Sequence, residues 1–378
     1  MKPILLTIKS GIQYSVLLLL LVLPALLFAQ LDRTKHALSI KANYGLDVSA
    51  ESANHSKNYL YGLHISYDKN IASSSDEWVR FFNAKNLSFG LTWNNLDHMM
   101  EIVDGKAYPA GQALGALAEV DFQLFKIGNA KILLTPGIGL SYLTQNVFTQ
   151  PETSTIGSHI NLTLTGELSA EIPISQNTSL VAGANILHYS NGAVVVPNGG
   201  INAMTGSVGV KTALSKPTDL TSAPETYHHI EGNNAEVWIG AGVRGKYRDK
   251  RKKFYRSGVY AGYNFYINRA LSLKSGTHMV YYHSVFDIDR FDETFQYYGS
   301  SYDHIRLGIA AGADFTMGRL VVNAMYGKYL HYNSYHDIGW YWVLGLRYFF
   351  TPNIGVQSTL NLHGVQADYV NWGLIFRI

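Results

Sequence analysis

The sequence predicts an all-β protein, a transmembrane antiparallel up-and-down β-barrel of about 14–16 strands. Three observations carry that expectation. Segments of about ten residues alternate apolar with small or polar side chains, as a wall between lipid and lumen requires. The 26 Tyr, 16 Phe, 6 Trp and 35 Gly stand beside only 15% charged residues, a composition that suits aromatic girdles better than a solvated surface. The chain also ends on an alternating strand in which Val370, Trp372, Leu374, Phe376 and Ile378 share one apolar face. A soluble β-sandwich alternates too, but strands of this length whose polar faces carry Lys41, Asn161 and Glu167 fit a barrel better. An eight-stranded barrel ending near Ala213, followed by a second barrel, is the alternative arrangement.

Met1-Lys2 and Lys9 precede the apolar run Val16 to Leu23, and Ala29 offers a cleavage point, so residues 1–29 read as a secretory signal peptide. Residues 30–378 then form the barrel, divisible into 30–213, a turn-rich linker at 214–234 and further strands at 235–378. No later stretch is apolar enough for a membrane-spanning helix. The absence of Cys excludes disulfides, thiolate metal sites and a thiol nucleophile. Removing Lys2 and Lys9 from the formal charge of +3 leaves about +1, which is no footprint for nucleic acid.

Taken in order, alternation places strands near His36–Leu46, Tyr59–Asp68, Leu87–Asn94, Ala113–Phe125, Ile132–Leu143, Ile160–Ile172, Thr178–Ser190 and Met204–Ala213. Ile160, Leu162, Leu164 and Leu168 illustrate the pattern, with Asn161, Thr163 and Glu167 opposite. The second series lies near Ala235–Tyr247, Phe254–Ile267, Leu271–Tyr282, His304–Phe315, Leu320–Tyr329, Trp340–Phe350, Ile354–Leu362 and Tyr369–Ile378. With both termini on the periplasmic side, the stretches 94–111, 144–158 and 283–302 become long external loops, and Gly128-Asn129 and Met317-Gly318 short periplasmic turns. The segments 69–84 and 214–234 are long for the periplasmic side.

The chemistry concentrates at Leu187-His188-Tyr189-Ser190-Asn191-Gly192 and the turn after it, Ala193 to Asn202, with Pro197-Asn198-Gly199-Gly200 as turn chemistry. His188 and Ser190, two apart on a strand, share a face with Leu180, Ala182, Ala184 and Ile186. Asn202 shares parity with Met204, Val208 and Val210 on the next strand. All three polar side chains are thus expected to face lipid near the outer leaflet, which is costly unless they act on a lipid. An imidazole beside a Ser hydroxyl is the usual means of making it a nucleophile.

His188-Tyr189-Ser190-Asn191, Pro197-Asn198 and Gly200-Ile201 resemble the signature of the outer-membrane lipid A 3-O-deacylases, the PagL type, within the acyloxyacyl hydrolase family. The ending from Ala367-Asp368-Tyr369 through Ile378 is similar to that of barrel enzymes of this family. The resemblance implies the bacterial outer membrane, no cofactor, assembly by the outer-membrane machinery, and lipid A or lipopolysaccharide as the partner. It implies a serine esterase in which His188 and Ser190 are catalytic and Asn191 and Asn198 shape an oxyanion hole. The departure is Asn202, which stands where the family has Glu; an amide can orient an imidazole but stabilises its cation less than a carboxylate does. A non-catalytic barrel, channel or structural protein is the alternative, and whether copies pair as a homodimer stays open.

Other clusters point to bland roles. His228-His229 with Glu231 and the acidic Asp287, Asp289, Asp292 and Glu293 are expected to be solvated, so no metal site is assigned. Arg248, Lys250, Arg251, Lys252 and Lys253 form a basic external hairpin tip that is either solvated or a dock for lipid phosphates.

Overall fold

The computed structural model describes residues 36–49, 58–175, 177–214 and 230–378. The expected signal peptide, His228 and His229 lie outside them. The N-terminal series consists of β1 (His36–Asp47), β2 (Tyr59–Asn70), β3 (Ala84–Asn95), a small hairpin β4 (Met100–Val103) and β5 (Lys106–Pro109), β6 (Gln112–Ile127), β7 (Ala130–Leu143), β8 (Ile160–Pro173), β9 (Thr178–Ser190) and β10 (Ile201–Ala213). After the linker come β11 (Asn234–Lys246), β12 (Asp249–Asn268), β13 (Leu271–Tyr282), β14 (Ile305–Met317), β15 (Leu320–His331), β16 (Trp340–Phe349), β17 (Ile354–His363) and β18 (Gln366–Arg377).

These strands close as two antiparallel barrels of eight, β1–β3 with β6–β10 and then β11–β18. The first closes by β1 against β10, from Ala37 opposite Ala213 to Asp47 opposite Ala203. The second closes by β11 against β18, from Glu236 opposite Arg377 to Val243 opposite Val370. A single barrel of 14–16 strands is therefore corrected to the tandem alternative, although the number of barrel strands agrees. The physical reason is that eight strands already enclose a lumen just wide enough for side chains to fill. The eighth barrel strand can then satisfy its free edge on the first.

Alternation explains both walls. On β1 and β2, Leu38, Ile40, Leu63 and Ile65 point outward and are exposed, while Ser39, His64, Ser66 and Asp68 are buried in the lumen. An exposed apolar band around a buried polar interior is the reverse of a water-soluble sandwich and the pattern of a lipid-embedded barrel. Each lumen is packed. The first holds Lys211 against Asp68 (3.1 Å), Asp121 (3.5 Å) and Glu171 (3.6 Å). The second stacks Trp238, Tyr260, His278 and Tyr341 between two ion-pair layers, one around Asp314 and Arg347 and one around Asp368 and Arg256.

The barrels stand side by side with the same polarity. At the terminal end, the short helix α1 (Glu77–Phe81) caps the first lumen through Val79, packed with Ile71 and Ala84. There Glu77 approaches Arg269 (3.9 Å) and Phe82 approaches Phe315 (6.2 Å between rings). At the loop end the contact is closer. Gly245 N–H donates to Ala193 O (2.8 Å) and Arg248 N–H to Val196 O (2.9 Å), so the β11–β12 hairpin runs along the loop between β9 and β10.

Candidate active site at the barrel rim

The rim of the first barrel is organised by what points inward. Leu187, Tyr189, Ile201 and Ala203 belong to an apolar plug with Leu60, Leu96, Met99, Ala113, Leu143 and Ile156 that closes the loop end of the lumen. Tyr189 is fully buried, and its hydroxyl accepts a hydrogen bond from Asn94 Nδ2 (2.8 Å). Because side chains alternate, anchoring 187, 189, 201 and 203 inward forces His188, Ser190 and Asn202 outward. The outward parity read from the sequence therefore holds for all three. Asn202, expected at the end of a turn, is the second residue of β10, directly opposite His188 in the register.

That pairing brings His188 Nδ1 within 2.7 Å of Asn202 Oδ1. An amide oxygen only accepts, so Nδ1 carries the proton, and in the neutral ring Nε2 keeps its lone pair. Asn202 is fixed in turn through its backbone, with its N–H donating to Ser49 Oγ (2.9 Å) and its carbonyl accepting from Val48 N–H (2.9 Å). Gly200, at φ +83°, lies against the imidazole, and a Cβ there would come within 3.1 Å of His188 Cε1. Ser190 is 8% exposed although it faces outward, whereas Ile186 on the same face is 62% exposed. The strand thus passes from open lipid surface to a covered cleft within four residues. Among the described residues Ser190 Oγ has no hydrogen-bond partner, His188 included.

The connecting loop is braced from within. Asn198 Oδ1 accepts from Asn191 N–H (3.1 Å), Asn191 Oδ1 from Val195 N–H (3.2 Å), and Asn191 Nδ2 donates to Ser158 Oγ (3.0 Å). Asn198 lines the cleft with its amide nitrogen unengaged among the described residues, while Asn191 stands behind it. A second brace was not legible in the sequence. Glu101, on β4, accepts from Ser154 N–H (2.9 Å), from Ser154 Oγ (2.8 Å) and from Thr155 Oγ1. The carbonyls of Ser154 and Thr155 accept from Gly199 (3.2 Å) and Gly200 N–H (2.9 Å). Glu101 sits in a stretch read as external loop, with no periodicity to mark it.

The cleft has a volume of about 550 Å3 and reaches from His188, Ser190, Asn198 and Asn202 across to Leu360, Leu362 and Val365 of the second barrel. Tyr297, from the β13–β14 loop, borders it, and burial pushes its phenol above the usual range. The other sequence-predicted groups lie elsewhere. Glu167 is in the lumen, paired with Lys41 and bonded by Ser207 Oγ (2.6 Å), as its parity required. No group of three or more His, Cys, Asp or Glu suited to a metal ion occurs among the described residues, Asp287 to Glu293 included. Arg248 to Lys253 do form an external tip, but Arg248 turns back to the carbonyls of Pro151 and Thr153 (3.3 Å to the latter).

Fold and rim together define a tandem β-barrel of the bacterial outer membrane with a covered polar triad on its lipid-facing surface. Residues 61–211 match the family model of lipid A 3-O-deacylase (PagL), and residues 233–378 match that of the acyloxyacyl hydrolase C-terminal domain. The chain belongs to the acyloxyacyl hydrolase family, in the branch of outer-membrane lipid A deacylases of the PagL type. Among solved structures, the outer membrane enzyme PagL matches with 16% identity over 45% of this chain and 97% of its own, at a TM-score of 0.33. Omp33 of Acinetobacter baumannii matches with 8% identity over 92% of this chain and 99% of its own, at a TM-score of 0.17. The toluene transporter TodX of Pseudomonas putida matches with 10% identity over 94% and 91%, at a TM-score of 0.19. A search of curated protein sequences finds no match.

Proposed function

We propose that this chain is a serine esterase that removes an ester-linked acyl chain from lipid A in the outer leaflet. The observation that carries the reading is the 2.7 Å contact of His188 Nδ1 with Asn202 Oδ1 beside Ser190, all on a lipid-facing surface. With Nδ1 protonated, Nε2 is the base. Rotation of Ser190 about χ1 toward it supplies the contact absent from the resting rim, since catalytic hydrogen bonds are often loose before substrate binds. Ser190 Oγ attacks the ester carbonyl and its proton passes to Nε2. The imidazolium then protonates the departing sugar oxygen, leaving an acyl-enzyme. Water, deprotonated by the same nitrogen, releases the fatty acid and restores Ser190.

Asn198 Nδ2 is the side-chain donor facing the cleft, and removing such an oxyanion donor typically costs about 10²–10³ in rate. Asn191 acts as a positioning residue through its N–H bond to Asn198. Asn202 sets the tautomer without supplying charge, so it holds the ring less strongly as a cation than a carboxylate would. A channel reading finds no support in the second lumen. Arg256, Arg306, Arg347 and Tyr260 in the second barrel are each no more than 1% exposed.

Lipid A extracted from cells expressing wild type, Ser190→Ala or Asn202→Glu, each checked for assembly by heat-modifiable gel mobility, tests the proposal by mass. Wild type should lose one ester-linked chain, Ser190→Ala none, and Asn202→Glu should equal or exceed wild type. Deacylation retained in Ser190→Ala would end the serine reading.

A further inference from the structure

We propose that the second barrel is part of the substrate site: the outward face of β17 and the turn after it form the wall along which the acyl chain of the scissile ester lies. The proposal rests on the esterase reading above. Its geometry is independent of which group is the nucleophile. Strand β17 alternates with Ile354, Val356, Ser358, Leu360 and Leu362 on the outward face. Ile354 and Val356 are exposed to the membrane, whereas Leu360 and Leu362, nearer the loop end, are half-buried. What covers them is the first barrel. A Cβ at Gly192 would stand 2.5 Å from Val370 Cγ2 and 3.3 Å from Leu360 Cδ1, so the loop that follows Ser190 is seated directly on this face.

The cleft opens beside that seam. The first barrel contributes His188, Ser190, Asn198 and Asn202 to its lining, and the second contributes Leu360, Leu362 and Val365 from β17 and its turn, with Arg244, Tyr297 and Gln366 beside them. The polar triad and the apolar stretch on β17 differ in chemistry as the two parts of an acyl ester do. The carbonyl needs a nucleophile and hydrogen-bond donors, and the chain needs a surface that excludes water. The apolar wall runs on to Val356 and Ile354 of the lipid-facing band past Ser358, which Leu346 and Trp372 flank in the register. A chain lying on Leu362 and Leu360 therefore remains in contact with apolar surface from the bilayer up to the serine. Val365, at the outer turn, extends the same wall. Without the second barrel the cleft would lose Leu360, Leu362 and Val365.

The test uses the full chain extracted from outer membranes in detergent, with p-nitrophenyl esters from butanoate to myristate. Leu362→Trp and Leu360→Trp, which fill the wall, should lower the ratio of kcat/KM for myristate to that for butanoate by about tenfold or more, the scale on which apolar pockets discriminate chain size. The loss should fall mainly in KM. A ratio equal to that of wild type, with Ser190→Ala inactive on every ester, would overturn the wall while leaving the esterase intact. Hydrolysis persisting in Ser190→Ala would instead fail the esterase reading. The wall is then judged by a readout that needs no turnover, a myristoyl probe bearing a diazirine, photo-crosslinked to the Ser190→Ala protein. Labelling of the peptide spanning 354–370, reduced by Leu362→Trp, supports the wall. Labelling confined to β9 and β10 overturns it.

Discussion

The two barrels share strand number, closure and direction, yet their lumens carry opposite charge and satisfy it by different chemistry. The first gathers Asp68, Glu119, Asp121, Glu167 and Glu171 around Lys41 and Lys211, an excess of acid. Its surplus carboxylate oxygens are met by hydroxyls and amides: Ser39 (2.5 Å) and Ser66 (2.7 Å) on Asp68, Thr135 and Asn86 (both 2.7 Å) on Asp121, and Ser207 on Glu167. The second gathers Arg244, Arg256, Lys274, Arg306, Arg347 and Arg377 around Glu236, Asp314 and Asp368, an excess of cation. There the compensation is aromatic. Arg256 and Arg306 lie over the Tyr282 ring at 4.5 and 4.4 Å, and Arg377 over Phe349 at 4.1 Å. Small hydroxyls suit surplus acceptors because they only need to donate, and π-faces suit surplus cations because they attract without adding a carboxylate. One architecture is thus filled in two ways, and the barrel with the aromatic, cationic filling is the one proposed to carry the wall rather than the nucleophile.

The sharpest way to break this contrast is at Asp368, on which Arg244 (3.8 Å), Arg256 (3.1 Å) and Arg306 (3.7 Å) converge. Asp368→Asn keeps the shape but leaves three buried guanidinium groups facing no charge, and breaking a buried pair in this way costs about 3–5 kcal/mol. Ser39→Ala in the first barrel removes one donor of several from Asp68 and should cost about 1 kcal/mol. Urea unfolding followed by gel mobility should show a large shift for the first variant and a small one for the second. Equal shifts would mean that the two lumens are not satisfied differently.

A smaller effect, this time on activity, is expected at Glu101. Glu101→Ala releases the Ser154–Thr155 segment that holds Gly199 and Gly200 beside His188. Displacing a catalytic group by about 1 Å can cost about 10²-fold in turnover. Hydrolysis should fall by about that factor, with the unfolding midpoint little moved. An unchanged rate would show that the loop is held by the second barrel alone. Gly192→Val probes that other support. It imposes a β-branched side chain at φ +64° and drives it into Val370. The backbone term alone is about 1–2 kcal/mol, so turnover should drop further on long esters than on short ones as Leu360 is pushed aside.

The sequence made some of this legible. Alternation located the barrel strands, and the parity of His188, Ser190 and Asn202 placed them on the lipid face, because period-two patterning is local and survives without tertiary information. Closure was not legible. Whether β10 pairs with β1 or with β11 leaves every inward and outward assignment identical, so no pattern of side chains distinguishes one barrel from two. Leu360 and Leu362 were equally opaque, since an apolar residue on an outward face looks the same against lipid as against a substrate cleft. Glu101 lay in a segment without periodicity, and its role depends on Ser154 and Thr155, more than fifty residues away.

The smallest predicted effect separates two ways of holding the barrels together. At the loop end, Lys253 Nζ donates to Val194 O (2.5 Å), and the Arg248 guanidinium reaches the carbonyls of Pro151 and Thr153. The same seam carries the backbone bonds from Gly245 N–H to Ala193 O and from Arg248 N–H to Val196 O. Backbone bonds survive substitution of the side chain. The lost side-chain bonds involve carbonyls near the water interface, and each is worth about 0.5–1.5 kcal/mol at most. Arg248→Ala and Lys253→Ala, alone or together, should therefore lower turnover by only about threefold and leave the chain-length ratio as it is. A collapse of that ratio in the double variant would place control of the seam in its charged side chains. A near-silent result would place it in the backbone pairing of the β11–β12 hairpin with the loop that follows Ser190.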